Sequence, residues 1–87
     1  MFTLYTKAPY YDVDSGVNKH CQYCEWAKEL LEENNLPFIE VQFDKAPQIF
    51  YDYDHKTYPM IFRDVDGSLE YIGGYDALVE YIDWELS

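Results

Sequence analysis

Apolar residues alternate with others from Phe2 to Thr6 in a β-rich stretch, a period of two that predicts a strand. From about Gln22 to Asn34 the period lengthens. Cys24, Ala27, Leu30 and Leu31 then share one helical face, while Lys28, Glu29, Glu32 and Glu33 fall elsewhere. Asn34-Asn35 and Pro37 stop this helix. Phe38 to Phe43 returns to strand character, with Ile39, Val41 and Phe43 on one side. Strand, helix and strand at this spacing form a right-handed βαβ unit with parallel strands. A shorter second helix follows, with Asp44 as its cap, Pro47 in its first turn, and Ala46, Ile49, Phe50 and Tyr53 at helical spacing. It ends before Pro59, because the residue preceding a proline is pushed to an extended conformation. Met60 to Arg63 is a third strand, Asp64-Val65-Asp66-Gly67 a hairpin turn, and Leu69 to Ile72 a fourth, antiparallel strand. Gly73-Gly74 breaks it, and Tyr75-Asp76 opens a third helix whose inner face is Leu78, Val79, Ile82 and Leu86. The predicted order is β-α-β-α-β-β-α, without repeats, linkers or low-complexity tracts.

The polar stretch from Lys7 to Lys19, with Pro9, Asp12, Asp14, Ser15, Gly16 and Asn18, predicts a loop, long for a small domain. Asp12-Val13-Asp14-Ser15-Gly16 superficially resembles a calcium loop. The register excludes it: glycine falls at the fifth place instead of the sixth, and the twelfth place is Tyr23, not glutamate.

Length changes this picture little: 87 residues predict one domain over 1–87. Composition narrows the function. The chain is 48% hydrophobic and 20% aromatic, which argues against disorder. A net charge of −11 speaks against nucleic acid and anionic membrane surfaces as partners. No stretch approaches the roughly 20 apolar residues a membrane span needs. A strand beginning at Phe2 leaves no room for a signal peptide, so a cytoplasmic location is expected.

The only two cysteines sit at Cys21 and Cys24, where the first helix begins. Unpaired backbone N–H groups and the helix dipole stabilise a thiolate in a first turn. The thiolate is the species that attacks disulfides, and a second cysteine one turn on resolves the mixed disulfide. A structural disulfide or half a zinc site has the same spacing.

Three segments together resemble one family. Cys21-Gln22-Tyr23-Cys24 looks like the glutaredoxin C-P-Y-C. Thr57-Tyr58-Pro59-Met60-Ile61-Phe62 looks like its T-V-P-x-I-F, whose proline is cis in that family. Gly73-Gly74-Tyr75-Asp76 looks like its G-G-[YFC]-D, and Tyr5-Thr6-Lys7 has a counterpart at the end of the family's first strand. The resemblance implies a thioredoxin fold, a four-stranded mixed sheet flanked by three helices. It also implies a cytoplasmic monomer reducing protein disulfides and glutathione mixed disulfides, with glutathione as reductant and no metal.

In that frame Cys21 is the nucleophile and Cys24 the buried resolving thiol. Tyr23 forms pocket wall, and the Tyr58 backbone beside Pro59 pairs with a substrate peptide. Gly73-Gly74 lets the backbone pass close to a ligand. Gly74, Tyr75 and Asp76 hold the γ-glutamyl end of glutathione: amides for its carboxylate, the Asp76 carboxylate for its ammonium. Asp76 reads equally as a helix cap. Gln22 replaces the family's proline, which puts the redox potential in question. The long loop is similar to the short glutaredoxin-like thioredoxins of large bacteriophages, some of which also accept electrons from thioredoxin reductase. It puts Asn18 where the family has a basic residue, leaving Lys7 or Lys19 to substitute. Ribonucleotide reductase is a substrate by resemblance only. The rival readings are a thioredoxin-type carrier with little glutathione specificity, a binding subunit with an idle Cys-x-x-Cys, and a zinc module of His20, Cys21, Cys24 and His55. The zinc module suffers from the poor chelate geometry of adjacent His20 and Cys21.

Overall fold

The computed structural model describes residues 1–85. Its strands are β1 (Phe2–Lys7), β2 (Tyr10–Asp12), β3 (Val17–Lys19), β4 (Phe38–Phe43), β5 (Met60–Val65) and β6 (Ser68–Gly73). Its helices are α1 (Gln22–Glu33), α2 (Gln48–Asp52) and α3 (Tyr75–Glu85). The main sheet runs β4-β1-β5-β6. β1 is parallel to β4 and antiparallel to β5, and β5 is antiparallel to β6. This is the mixed, thioredoxin-like sheet flanked by three helices that the order of elements predicts.

The alternation in β1 sorts side chains onto two faces. Phe2 and Leu4 join Ile61 of β5 beneath Ala27 and Leu31 of α1 and Leu78 and Ile82 of α3. On the opposite face Phe50 of α2 covers Met60 and Phe62. Burying each large apolar side chain contributes about 1.5–3 kcal/mol, so these two clusters hold the helices on the sheet.

Several expectations are corrected. The stretch between β1 and α1 is not a loop: β2 and β3 pair as an antiparallel hairpin. Its turn is closed by Gly16 N–H donating to the Asp12 carbonyl at 2.8 Å and by Asp14 N–H donating to the Asp12 carboxylate at 3.0 Å. Gly16 has φ +71°, the left-handed conformation that glycine adopts without a steric penalty. The turn residues that suggested a loop are therefore those of a hairpin tip.

In β4 Ile39 and Val41, the apolar residues expected to share one side, are 50% and 38% exposed. They lie beside Thr3 and Tyr5, on the α2 face, and five-residue α2 is too short to cover this edge strand. Asp44 does not cap α2. Pro47 occupies the cap position without a side-chain bond, and the Asp44 carbonyl accepts from Lys7 Nζ instead. Of the four residues expected inside α2, only Phe50 is buried. The β5–β6 turn tightens to Asp66-Gly67, both at positive φ as a two-residue primed turn requires. Val79 of α3 is half-buried, and Leu86, expected on the same face, lies outside the described residues.

One polar tie secures α1 to the sheet near the cysteines. Buried Thr6 donates from Oγ1 to Glu40 Oε2 at 2.7 Å, and Lys28 Nζ lies 3.2 Å from the same carboxylate. Burial alone would raise the Glu40 pKa. The Thr6 hydroxyl and the Lys28 ammonium outweigh it and hold the carboxyl below its ordinary value. A depressed carboxylate stabilises the fold above its unfolded pKa of about 4.3 and loses that contribution as pH falls. Glu40→Gln should therefore lower the melting temperature at neutral pH, and the gap to wild type should close in acid. Thermal melts across that range test this; an equal gap in acid contradicts it.

Candidate functional site

Cys21 is the N-cap residue of α1, with extended φ −82° and ψ 104°. Its Sγ accepts a hydrogen bond from Cys24 N–H at 3.2 Å. The sulfur thus occupies the place where a capping oxygen usually sits, at the positive end of the helix dipole. Cys24 lies on the same helical face as Ala27 and Leu31 and is 2% exposed, whereas Cys21 is only half-buried. A disulfide joins them, with Cα atoms 5.2 Å apart. The pair is therefore present in its oxidised form, one sulfur towards solvent and the other beneath it.

A cavity of about 400 Å³ reaches Tyr23, the residue before Cys24. Tyr23, between the cysteines, lines one side; His55 and Thr57-Tyr58-Pro59 line another; Gly74, Tyr75, Asp76 and Ala77 line the third. The Tyr58–Pro59 peptide bond is cis, as the resemblance implied. Six residues expected at a binding site therefore converge: Tyr23, Tyr58, Pro59, Gly74, Tyr75 and Asp76. Lys19 does not join them. It pairs with Asp12 at 2.7 Å across the β2–β3 hairpin, and the ammonium holds the Asp12 carboxyl below its usual range. Lys7 is engaged as well, by the Asp44 carbonyl and by the ring of Tyr10, 5.4 Å from its centroid. The cavity lining contains no lysine or arginine, and Asp76 is its only carboxylate.

The two glycines divide the work. Gly73 ends β6 at φ +128°, and a Cβ there would stand 2.9 Å from the Ala77 Cβ, so the β6–α3 corner requires glycine. Gly74 lines the cavity, and a Cβ on it would meet the Pro59 carbonyl at an ordinary 3.7 Å. The first helical bond of α3 runs from Leu78 N–H to the Gly74 carbonyl at 3.0 Å, so the preceding amides are left for a ligand. Asp76 is the second residue of α3, inside the helix. Its carboxylate makes no capping bond among the described residues.

Sequence reasoning weighed His55 only as a zinc ligand. Its Nε2 lies 3.1 Å from the Pro59 carbonyl and its Nδ1 2.6 Å from the Tyr71 hydroxyl. A carbonyl only accepts, so Nε2 carries the proton, and in the neutral ring Nδ1 accepts from Tyr71. His55 thereby ties the Pro59 turn to β6. Its position four residues before Pro59 was the sole signal in the sequence, and nothing there announced Tyr71 as its partner. Tyr58 donates its hydroxyl to the Lys45 carbonyl at 2.9 Å, and burial, then nearby Asp44, raises its pKa. Burial and Asp54 raise that of Tyr71. Both phenols remain protonated donors. Among the described residues, no group of three His, Cys, Asp or Glu side chains is placed to hold a metal. His20 is exposed.

Tyr23 also packs edge-on against Trp26, with centroids 5.2 Å apart, and both lean on Tyr75 at 6.0 and 5.9 Å. An aromatic wall thus joins the helix that carries the cysteines to the helix that carries Asp76.

The family model described as Glutaredoxin matches residues 2–70. No match was found among curated proteins. The solution structure of glutaredoxin from Brucella melitensis is similar with a TM-score of 0.65 at 24% identity, over 97% of this chain and 79% of that one. The crystal structure of glutaredoxin 1 from Francisella tularensis complexed with cacodylate is similar with a TM-score of 0.63 at 31% identity, over 94% of this chain and 91% of that one. With a family match reaching from β1 into β6, and a half-buried cysteine over a buried one at the start of α1, the chain belongs to the glutaredoxin family.

Proposed function

We propose that this protein is a dithiol glutaredoxin, one domain over residues 1–87, that reduces protein disulfides and glutathione mixed disulfides and is recycled by glutathione. Family membership carries the coarser part, thiol–disulfide oxidoreductase chemistry. One observation supports the finer part: the half-buried Cys21 sulfur caps α1, and Tyr23 of the same first turn lines a cavity whose other side holds Gly74, Tyr75 and Asp76 at the start of α3.

In the reduced protein the Cys21 thiolate attacks one sulfur of the substrate disulfide. A mixed disulfide forms and the first substrate thiolate leaves. Cys24, deprotonated, then attacks the Cys21 sulfur. The Cys21–Cys24 disulfide closes and the second substrate thiolate departs, each leaving sulfur taking a proton from solvent. Two glutathione molecules reverse the change and leave as glutathione disulfide. The half-exposed sulfur suits the first attack and the buried one the second. Tyr23 and Tyr58 wall the bound tripeptide, the amides at Tyr75 and Asp76 meet its γ-glutamyl carboxylate, and Asp76 meets its ammonium. Lys19 is bound to Asp12, so a contact from it to glutathione would require that pair to open. The protein acts as a cytoplasmic monomer on this reading, with thioredoxin reductase a second source of electrons and ribonucleotide reductase a substrate.

Steady-state reduction of a glutathione mixed disulfide, driven in parallel by glutathione and by thioredoxin reductase, tests the proposal. Turnover with glutathione supports it. Turnover with thioredoxin reductase alone replaces it with a thioredoxin-type carrier.

A further inference from the structure

A second groove, of about 310 Å³, runs along α1, and Tyr75 lines both it and the first cavity. Leu30 lies under it, Trp26 and Tyr75 give it an aromatic wall, and Glu29 and Glu33 rim it. The two glutamates are four apart on one helix, where like charges repel. Both are exposed, and neither has a cationic partner among the described residues. The only cation on α1, Lys28, is held at 3.0 Å by Glu25 and at 3.2 Å by Glu40.

A surface of this chemistry fits a cation. An exposed indole or phenol face attracts an ammonium or guanidinium, and carboxylates beside it complete the contact. Arginine matches both, since its planar fork stacks on rings and pairs with carboxylates. Trp26 of the groove packs on Tyr23, between the two cysteines, and Tyr75 lines both the groove and the first cavity, which puts that cation on the molecule whose disulfide is being reduced. We propose that the groove of Trp26, Leu30 and Tyr75, rimmed by Glu29 and Glu33, docks an arginine or lysine side chain flanking the reactive cysteine of a protein substrate. This rests on the thiol–disulfide reading and adds the charge of the preferred substrate. An acidic segment would meet repulsion from the same two carboxylates.

Two measurements test it. The first is catalytic and uses one cysteine-containing peptide in two versions, with arginine or with glutamate flanking a cysteine carried as a mixed disulfide. The arginine version should show a kcat/KM about tenfold higher, chiefly through KM, as one charge-assisted contact would give. The double variant Glu29→Gln, Glu33→Gln should lose most of that preference while turning over a small neutral disulfide as wild type does. The charge-matched double variant Asp52→Asn, Asp66→Asn, altered at acids that line neither cavity, should keep it. Equal loss in both double variants would mean net charge alone is responsible and would overturn the groove, as would an undiminished preference in the glutamate variant.

The second measurement needs no turnover. In a Trp84→Phe background, Trp26 is the only indole. Its emission should respond saturably to the arginine peptide with serine in place of cysteine, and not to the glutamate peptide. No response to the arginine peptide overturns the proposal. Failure of every disulfide to be reduced, with this response intact, strikes the catalytic reading and leaves the groove standing.

Discussion

Cys21→Ser should abolish reduction of every disulfide, while Cys24→Ser should stop reduction of protein disulfides yet preserve removal of glutathione from a mixed disulfide. The asymmetry comes from where α1 places the two sulfurs. Cys21 is at the cap, partly open to solvent, with the Cys24 amide directed at it from 3.2 Å. The only other thiol in the chain is that of Cys24. Cys24 is 2% exposed and packs with the core. Its sulfur is bonded to that of Cys21 and closed to solvent, so it is needed only where a mixed disulfide with a protein must be resolved from within. A glutathione molecule performs that step when the mixed disulfide is with glutathione. Serine is close in size to cysteine, so neither variant should disturb packing greatly. Both activities are measured on both variants. Equal loss in the two variants would falsify the division of roles.

Asp76→Asn should lower kcat/KM for a glutathionylated substrate by roughly ten- to a hundredfold, the equivalent of a charge-assisted bond of about 1.5–3 kcal/mol. Exposure of Asp76 to solvent moves the effect towards the smaller figure. The substitution is clean. Among the described residues the Asp76 carboxylate makes no helix-capping bond, and the Leu78 N–H to Gly74 carbonyl bond that starts the helix is backbone only. Loss of a negative charge from the first turn costs the helix a few tenths of a kcal/mol, about 0.3–1 by the dipole effect, so a melt should change little. Reduction of a protein disulfide fed by thioredoxin reductase should survive nearly intact. An unchanged kcat/KM with the glutathionylated substrate would remove glutathione from the cavity and make a thioredoxin-type carrier the better account.

The main sheet and all three helices were legible because their patterns are long enough to have a period. Phe2-Leu4 and Cys24-Ala27-Leu31 are buried where alternation and helical spacing put them. Ile39 and Val41 alternate correctly but face a sheet surface that short α2 does not reach, and a period reports which face, not whether anything covers it. The β2–β3 hairpin escaped because three-residue strands are below the length at which alternation can be read. Its residues look polar because both its faces are largely open to solvent.

The candidate site was legible as three short segments in order, and the fold does bring Tyr23, Pro59 and Gly74 to one cavity. What escaped were side chains whose position depends on distant partners. Lys19 is drawn to Asp12 by a hairpin not seen in the sequence, and His55 is fixed by Tyr71, sixteen residues away. Trp26 carries no signal of its own in the sequence, and only the packing of Tyr75 against it reveals the second groove.

The central claim, that Cys21 attacks and Cys24 resolves, is tested most directly by trapping. Reduced Cys24→Ser protein is mixed with a disulfide-containing protein, quenched with acid, digested and analysed by mass spectrometry. The account predicts a stable adduct linking the substrate to Cys21, with none formed by the Cys21→Ser protein. An adduct on Cys24 in the Cys21→Ser protein, or no adduct on Cys21, would contradict it.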